Sequence, residues 1–271
     1  MNRLWVAQVR GVLRMEMRKN LLSARALPMY LLAVLPMAVT VIFILVTTVT
    51  GVPPEIQGAA GAAAFYAGLY RFILMLLYFG CVWIFMNLFR GEVMDRSLHY
   101  YFLTPIRRET LVVSKYVSAW FTTALLFCTS TTVCFVALYG YLGGAGTDGV
   151  LRGTSLAHLA SYLGATLLGC LGYGAVFLLG GLFFRNPIVP ALVVLGVESI
   201  NPFLPVFLKK ISVIFYVNSL LPVPLEDGPF AIMAEPASAW FSVPGLILFA
   251  GLTMLVAALR IRRMEISYAG D

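Results

Sequence analysis

Ionisable residues make up only 11% of this 271-residue sequence, so where they gather is informative. The densest group lies in RGEVMDRSLHYYFLTPIRRETLVVSKY, Arg90 to Tyr116, where Glu92 and Asp95 sit among Arg90, Arg96, Arg107, Arg108 and Lys115. Interleaved acids, bases and aromatics (His99-Tyr100-Tyr101-Phe102) suit recognition of a complementary protein surface better than bond-making. Thr104-Pro105 and a resumed helical pattern predict a short helix, a turn and a helix restart. A solvated, merely orienting loop explains the cations of this segment but not its acids and aromatics.

The other ionisable residue of interest is Glu198, inside an apolar stretch with Asn201-Pro202 following it. An acid near the middle of a membrane span costs about 3 kcal/mol on insertion scales, so it must face protein or water. Two readings stand. Glu198 and Asn201 line a substrate path or gate, or a protonated or hydrogen-bonded Glu198 pins a proline-broken helix.

Several chemistries are excluded. There is no H-E-x-x-H, no G-x-S-x-G and no aspartate within an apolar span, so an intramembrane hydrolase lacks its machinery. His99 and His158 fall at different depths. Cys81, Cys128, Cys134 and Cys170 have no CxxC spacing and no histidine in register, and read as small buried apolar residues without metal. No G-x-x-x-x-G-K-[ST] occurs, and none of Lys19, Lys115, Lys209 and Lys210 follows a glycine, so this chain cannot hydrolyse ATP through a P-loop.

The elements around these residues are those of a polytopic membrane protein. Apolar residues are 61% of the chain and mean hydropathy is +0.91, far from the ~25% charged residues of a soluble domain. The net charge of +7 is not gathered on one soluble module, which excludes nucleic acid as a partner. Runs of about 20 apolar residues predict one all-α transmembrane domain over residues 1–271 with six spans. These fall near 28–50, 65–89, 117–142, 156–184, 188–208 and 239–259, the fifth interrupted by Glu198, Asn201, Pro202 and Pro205. On that plan six Lys and Arg lie in Met1–Leu27, five between Arg90 and Lys115, one at Arg185 and three in the tail, all on one side. Only Arg71, Arg152, Lys209 and Lys210 fall on the other. The asymmetry predicts both termini in the cytoplasm, with the basic start and the long first run retained as an anchor.

Residues 2–24 predict an interfacial amphipathic helix in contact with membrane lipid. Arg3, Arg10, Arg14 and Arg18 share one flank, and Trp5, Val9, Val12 and Leu13 another, with Glu16 a misfit in the apolar arc. Gly164, Gly169, Gly172, Gly174, Gly180 and Gly181 in the fourth span predict close helix packing. Residues 209–238 are polar and proline-rich. They predict an extracytoplasmic re-entrant or interfacial segment, because a seventh crossing would put the arginines of the tail outside.

The central segment resembles the first cytoplasmic loop of type-2 ATP-binding-cassette transporter permeases. There a Gly-Glu, an acid three positions on, a Ser or Thr, a hydrophobic-Leu-Thr-Pro turn and basic residues precede a Lys near the third span. The corresponding residues are Gly91, Glu92, Asp95, Ser97, Phe102, Leu103, Thr104, Pro105, Arg107, Arg108 and Lys115. The match spans some 27 residues. It departs from the pattern in the aromatic run before Leu103.

The resemblance implies a permease subunit in the cell inner membrane, dimerising with a second permease copy as a homo- or heterodimer. It implies a coupling helix in 90–116, including Arg90 and Arg96, docked on a separate nucleotide-binding ATPase that holds the ATP and Mg. It also points to export, or to extraction of hydrophobic compounds from the inner leaflet. The many aromatics and few charges of the spans favour a hydrophobic or amphipathic substrate. The rival is a stand-alone ion-coupled secondary transporter working through Glu198.

Overall fold

A computed structural model describes residues 2–23, 26–94, 108–142, 154–184, 186–223 and 238–262. Among them every regular element is helical. The elements are α1 (Asn2–Leu22), α2 (Leu27–Thr50), α3 (Gly58–Met94), α4 (Arg108–Leu142), α5 (Thr154–Phe183), α6 (Ile188–Ile200), α7 (Val206–Lys209), α8 (Val213–Asn218) and α9 (Ala239–Arg262).

Five of these, in α2, α3, α4, α5 and α9, are long and apolar enough to cross a membrane, so the chain is a multi-pass helical membrane protein. The expected interrupted span at 188–208 is not among them. Residues 188–208 divide into α6, 13 residues long, a 3-10 turn Asn201–Phe203 and the start of α7. Pro202 and Pro205 supply no amide N–H, so the helical ladder cannot run on through them. At 1.5 Å per residue, α6 reaches about 20 Å against a hydrocarbon core of about 30 Å. Arg71, within the expected span 65–89, lies in the first half of α3. It stands exposed there.

Local sequence explains the element ends. Pro28 opens α2, where a missing N–H costs nothing. Gly51, at φ 87°, closes it and donates its N–H to the Thr47 carbonyl at 2.9 Å. Inside α2 the Thr40 hydroxyl donates to the Pro36 carbonyl at 2.8 Å, satisfying a polar group where no water reaches.

The core lies between α3, α4 and α5. Tyr66, Phe135, Tyr139 and Tyr162 pack edge-to-face and stacked, with Tyr66 4.9 Å from Phe135 and Phe135 4.0 Å from Tyr139. Glycines on α5 admit bulky neighbours. A Cβ built on Gly174 would stand 2.5 Å from the Phe85 ring of α3, and one on Gly181 would stand 2.9 Å from the Met86 carbonyl oxygen.

Contacts also fix which helix ends share a face of the bundle. Glu16 of α1 meets Lys115 near the start of α4. Arg262 at the end of α9 pairs with Glu109, and Arg260 lies 5.0 Å over Phe183 at the end of α5. The end of α9 therefore lies at the same end of the bundle as α1. The ends of α5 and α9 lie together, so α9 begins at the opposite end of the bundle.

Candidate functional site

The central charged segment is framed by two long helices. α3 stays helical through Met94, so the backbone of Arg90, Gly91 and Glu92 belongs to its last turns. α4 opens at Arg108. Asp95, Arg96, Ser97, Leu103, Thr104, Pro105 and Arg107 lie outside the described residues, as does the expected short coupling helix.

At the root of this segment lies an ion pair that sequence reading missed. Lys115 Nζ donates to Glu16 Oε1 at 2.8 Å, with the two side chains 0% and 1% exposed. The ammonium also sits 5.7 Å from the Phe89 ring of α3. One turn further along, Asn20 Nδ2 donates to Ser118 Oγ at 3.4 Å. The rungs 16–115 and 20–118 advance in the same direction on both helices, so α1 lies alongside α4 here. The face of α1 that carries Glu16 is thus taken up by protein, not by lipid. Burying two charges this deeply is tolerable where they are paired with opposite charge, as they are here. The signal for this pair was present as two misfits: an acid on an apolar arc and a lysine heading an apolar span.

Glu198 and Asn201 are brought together as braces of one excursion of the chain. The Glu198 carboxylate accepts the Ser212 hydroxyl at 2.5 Å, the Val213 N–H at 3.1 Å and the Ile214 N–H at 3.2 Å. These are first-turn donors of α8, which have no partner within their own helix. Ser212, in the N-cap position, makes no cap bond of its own, because its hydroxyl turns to Glu198. Asn201 Nδ2 donates to the Lys209 carbonyl at 3.3 Å. Residues 201–212 are thereby closed at both ends. α6 is docked by Tyr78, whose hydroxyl donates to the Ala191 carbonyl at 2.5 Å. α8 is docked by Val213 and Val217 against Gly172 and Gly169 of α5.

A cluster of hydroxyls also crosses the core. The Tyr66 hydroxyl donates to the Thr131 carbonyl at 2.9 Å, and the Tyr70 hydroxyl lies 2.9 Å from Thr166 Oγ1 and 3.0 Å from the Tyr162 carbonyl. These groups stitch α3, α4 and α5 together with uncharged bonds and offer no nucleophile–base pair. His158 Nδ1 lies 3.4 Å from the Tyr139 hydroxyl. Among the described residues no three His, Cys, Asp or Glu side chains gather as a metal site, and the four cysteines are free thiols.

No family model, curated protein or solved structure matches the chain.

Proposed function

We propose that this chain is the transmembrane permease subunit of an ATP-binding-cassette transporter. It would export a hydrophobic or amphipathic substrate, driven by ATP hydrolysis on a separate subunit docked at residues 90–116. The observation that supports the reading is that α3 ends and α4 begins within the charged segment, with Gly91 and Glu92 in the last turn of α3 and Thr104-Pro105 shortly before α4 in the sequence. Both helices run unbroken from the motif into the core, to and from residues 94 and 108. A displacement of residues 95–107 would be delivered to the two helices as rigid levers, the kind of discrete rearrangement by which packed helices transmit force. Closure of an ATPase on ATP shifts the bundle between inward-open and outward-open forms only if docking contacts differ between its two states.

The buried Glu16–Lys115 pair supports the same reading, because it makes α1 move with the root of α4. The ion-coupled alternative needs a carboxylate that exchanges partners with water or an ion. The Glu198 carboxylate instead accepts three hydrogen bonds from its own chain, which favours the permease reading.

Affinity purification of the tagged chain in mild detergent tests the proposal. A P-loop ATPase is expected to co-purify and to be lost with Glu92→Ala or Pro105→Ala, while both variants still yield folded protein. A partner-free, ATP-indifferent wild-type protein contradicts it.

A further inference from the structure

The outward face of α1 has no role in the docking reading, and its orientation is fixed by observation. Glu16 and Asn20 hold the opposite face against Lys115 and Ser118 of α4. At 100° per residue, Arg18 lies 200° around the helix from Glu16, and Arg14 lies 160° from it. Both arginines are exposed, and no ion pair or hydrogen bond reaches either of them among the described residues. Continuing along the chain, the exposed residues change character. Leu22 is 76% exposed, Leu27 65% and Leu31 59%. The join between α1 and α2 is braced by the Tyr30 hydroxyl, which donates to the Leu21 carbonyl at 2.9 Å. Along the chain the exposed side chains therefore pass from two cations on α1, with Leu22 one turn beyond Arg18 on the same face, to leucines at the start of the membrane-crossing α2.

That gradient matches the profile of a lipid leaflet from headgroup to acyl chain. Arginine heads stay at the polar level and leucines meet hydrocarbon below them. We infer that Arg14 and Arg18 form a binding site for the headgroup of an anionic phospholipid, whose acyl chains lie along Leu22, Leu27 and Leu31. The charge complementarity selects the headgroup. Two guanidiniums one turn apart can each donate to phosphate oxygens, and a zwitterionic lipid offers the same phosphate offset by its own cation. The expectation from the sequence alone assigned the lipid contact to the arc of α1 that contains Glu16. The ion pair to α4 turns the Glu16 end of that arc toward protein.

The test uses the full-length, delipidated protein in detergent and counts bound lipids by native mass spectrometry. It is titrated with phosphatidylglycerol or with phosphatidylcholine of the same acyl chains. Each basic residue near an anionic surface contributes about a fivefold effect, so Arg14→Gln/Arg18→Gln should weaken phosphatidylglycerol binding by about thirtyfold. Phosphatidylcholine binding should be unchanged. Arg14→Lys/Arg18→Lys keeps the charge and should keep the preference. Wild-type protein that binds both lipids alike overturns the inference. So does a preference that survives the double Gln variant, or an equal loss for both lipids that leaves their ratio intact. Loss of a co-purifying protein with the lipid preference intact would assign this face to a protein partner instead. Lipid selection is read on the chain alone, so it stands or falls separately from the ATPase reading.

Discussion

At the scale of single residues, the buried Glu16–Lys115 pair is the most sensitive point at the charged end of the bundle. Removing one partner of a buried ion pair costs about 3–5 kcal/mol, because the other charge loses its counter-charge out of water. Glu16→Ala or Lys115→Ala is therefore expected to lower the thermal midpoint in detergent sharply. Glu16→Met combined with Lys115→Met should recover most of the loss, because the double change removes both desolvation penalties. A double variant as unstable as the singles would show that packing, not charge, sets the effect. Glu198 is the second such point. Glu198→Ala leaves the Ser212 hydroxyl and two amides of α8 without acceptors, a penalty of about 1–3 kcal/mol for each buried orphan. Amide hydrogen exchange at Val213 and Ile214 should accelerate in this variant, whereas Glu198→Gln retains one oxygen and should lose less protection. Exchange unaltered by Glu198→Ala would remove the clasp. Both residues stood out in the sequence as acids in apolar surroundings. Their partners did not, because Glu16 and Lys115 are 99 positions apart, and helix periodicity gives a face without saying which helix covers it.

At the scale of elements, the glycines of α5 divide into two groups. A methyl at Gly174 meets the Phe85 ring at 2.5 Å, whereas one at Gly164 meets nothing within 4 Å. Gly174→Ala is expected to destabilise by about 1–3 kcal/mol through forced repacking. Gly164→Ala should be neutral or slightly stabilising, since it only restricts the unfolded chain. Thermal unfolding of the two variants in one detergent separates them, and equal effects would contradict the packing described for α3 and α5. The glycine run was legible as a close-packing signal, but which glycines touch a neighbour depends on helix rotation, which composition does not encode. The five long spans were legible to within a few residues at most ends, because unbroken apolar length is a strong signal. The charged end of α3 ran past its expected limit, since the helix continues to Met94 after the apolar run stops near Phe89. The region after α5 was legible as broken, from its prolines and Glu198. Its division into α6, a turn, α7 and α8 was not, because it follows from where the Glu198 carboxylate finds donors.

At the scale of the whole molecule, the end of the bundle at Glu16 and Arg262 is reinforced. The Glu16–Lys115 pair, the Arg262–Glu109 pair and the Arg260–Phe183 contact tie α1, α4, α5 and α9 together there, and α3 and α4 emerge from it toward residues 95–107. An end braced in this way can receive force without being unfolded by it, as docking of an ATPase requires. The motif was legible in the sequence, whereas the bracing beneath it was not, for it joins residues from four helices. The most direct measurement is photo-crosslinking from a benzoylphenylalanine placed at Leu103 in the membranes of the native host. The permease reading predicts a covalent adduct with a P-loop ATPase, with a yield that changes when ATP is trapped on the partner. Adducts only with lipid, or with proteins unrelated to nucleotide hydrolysis, would contradict it.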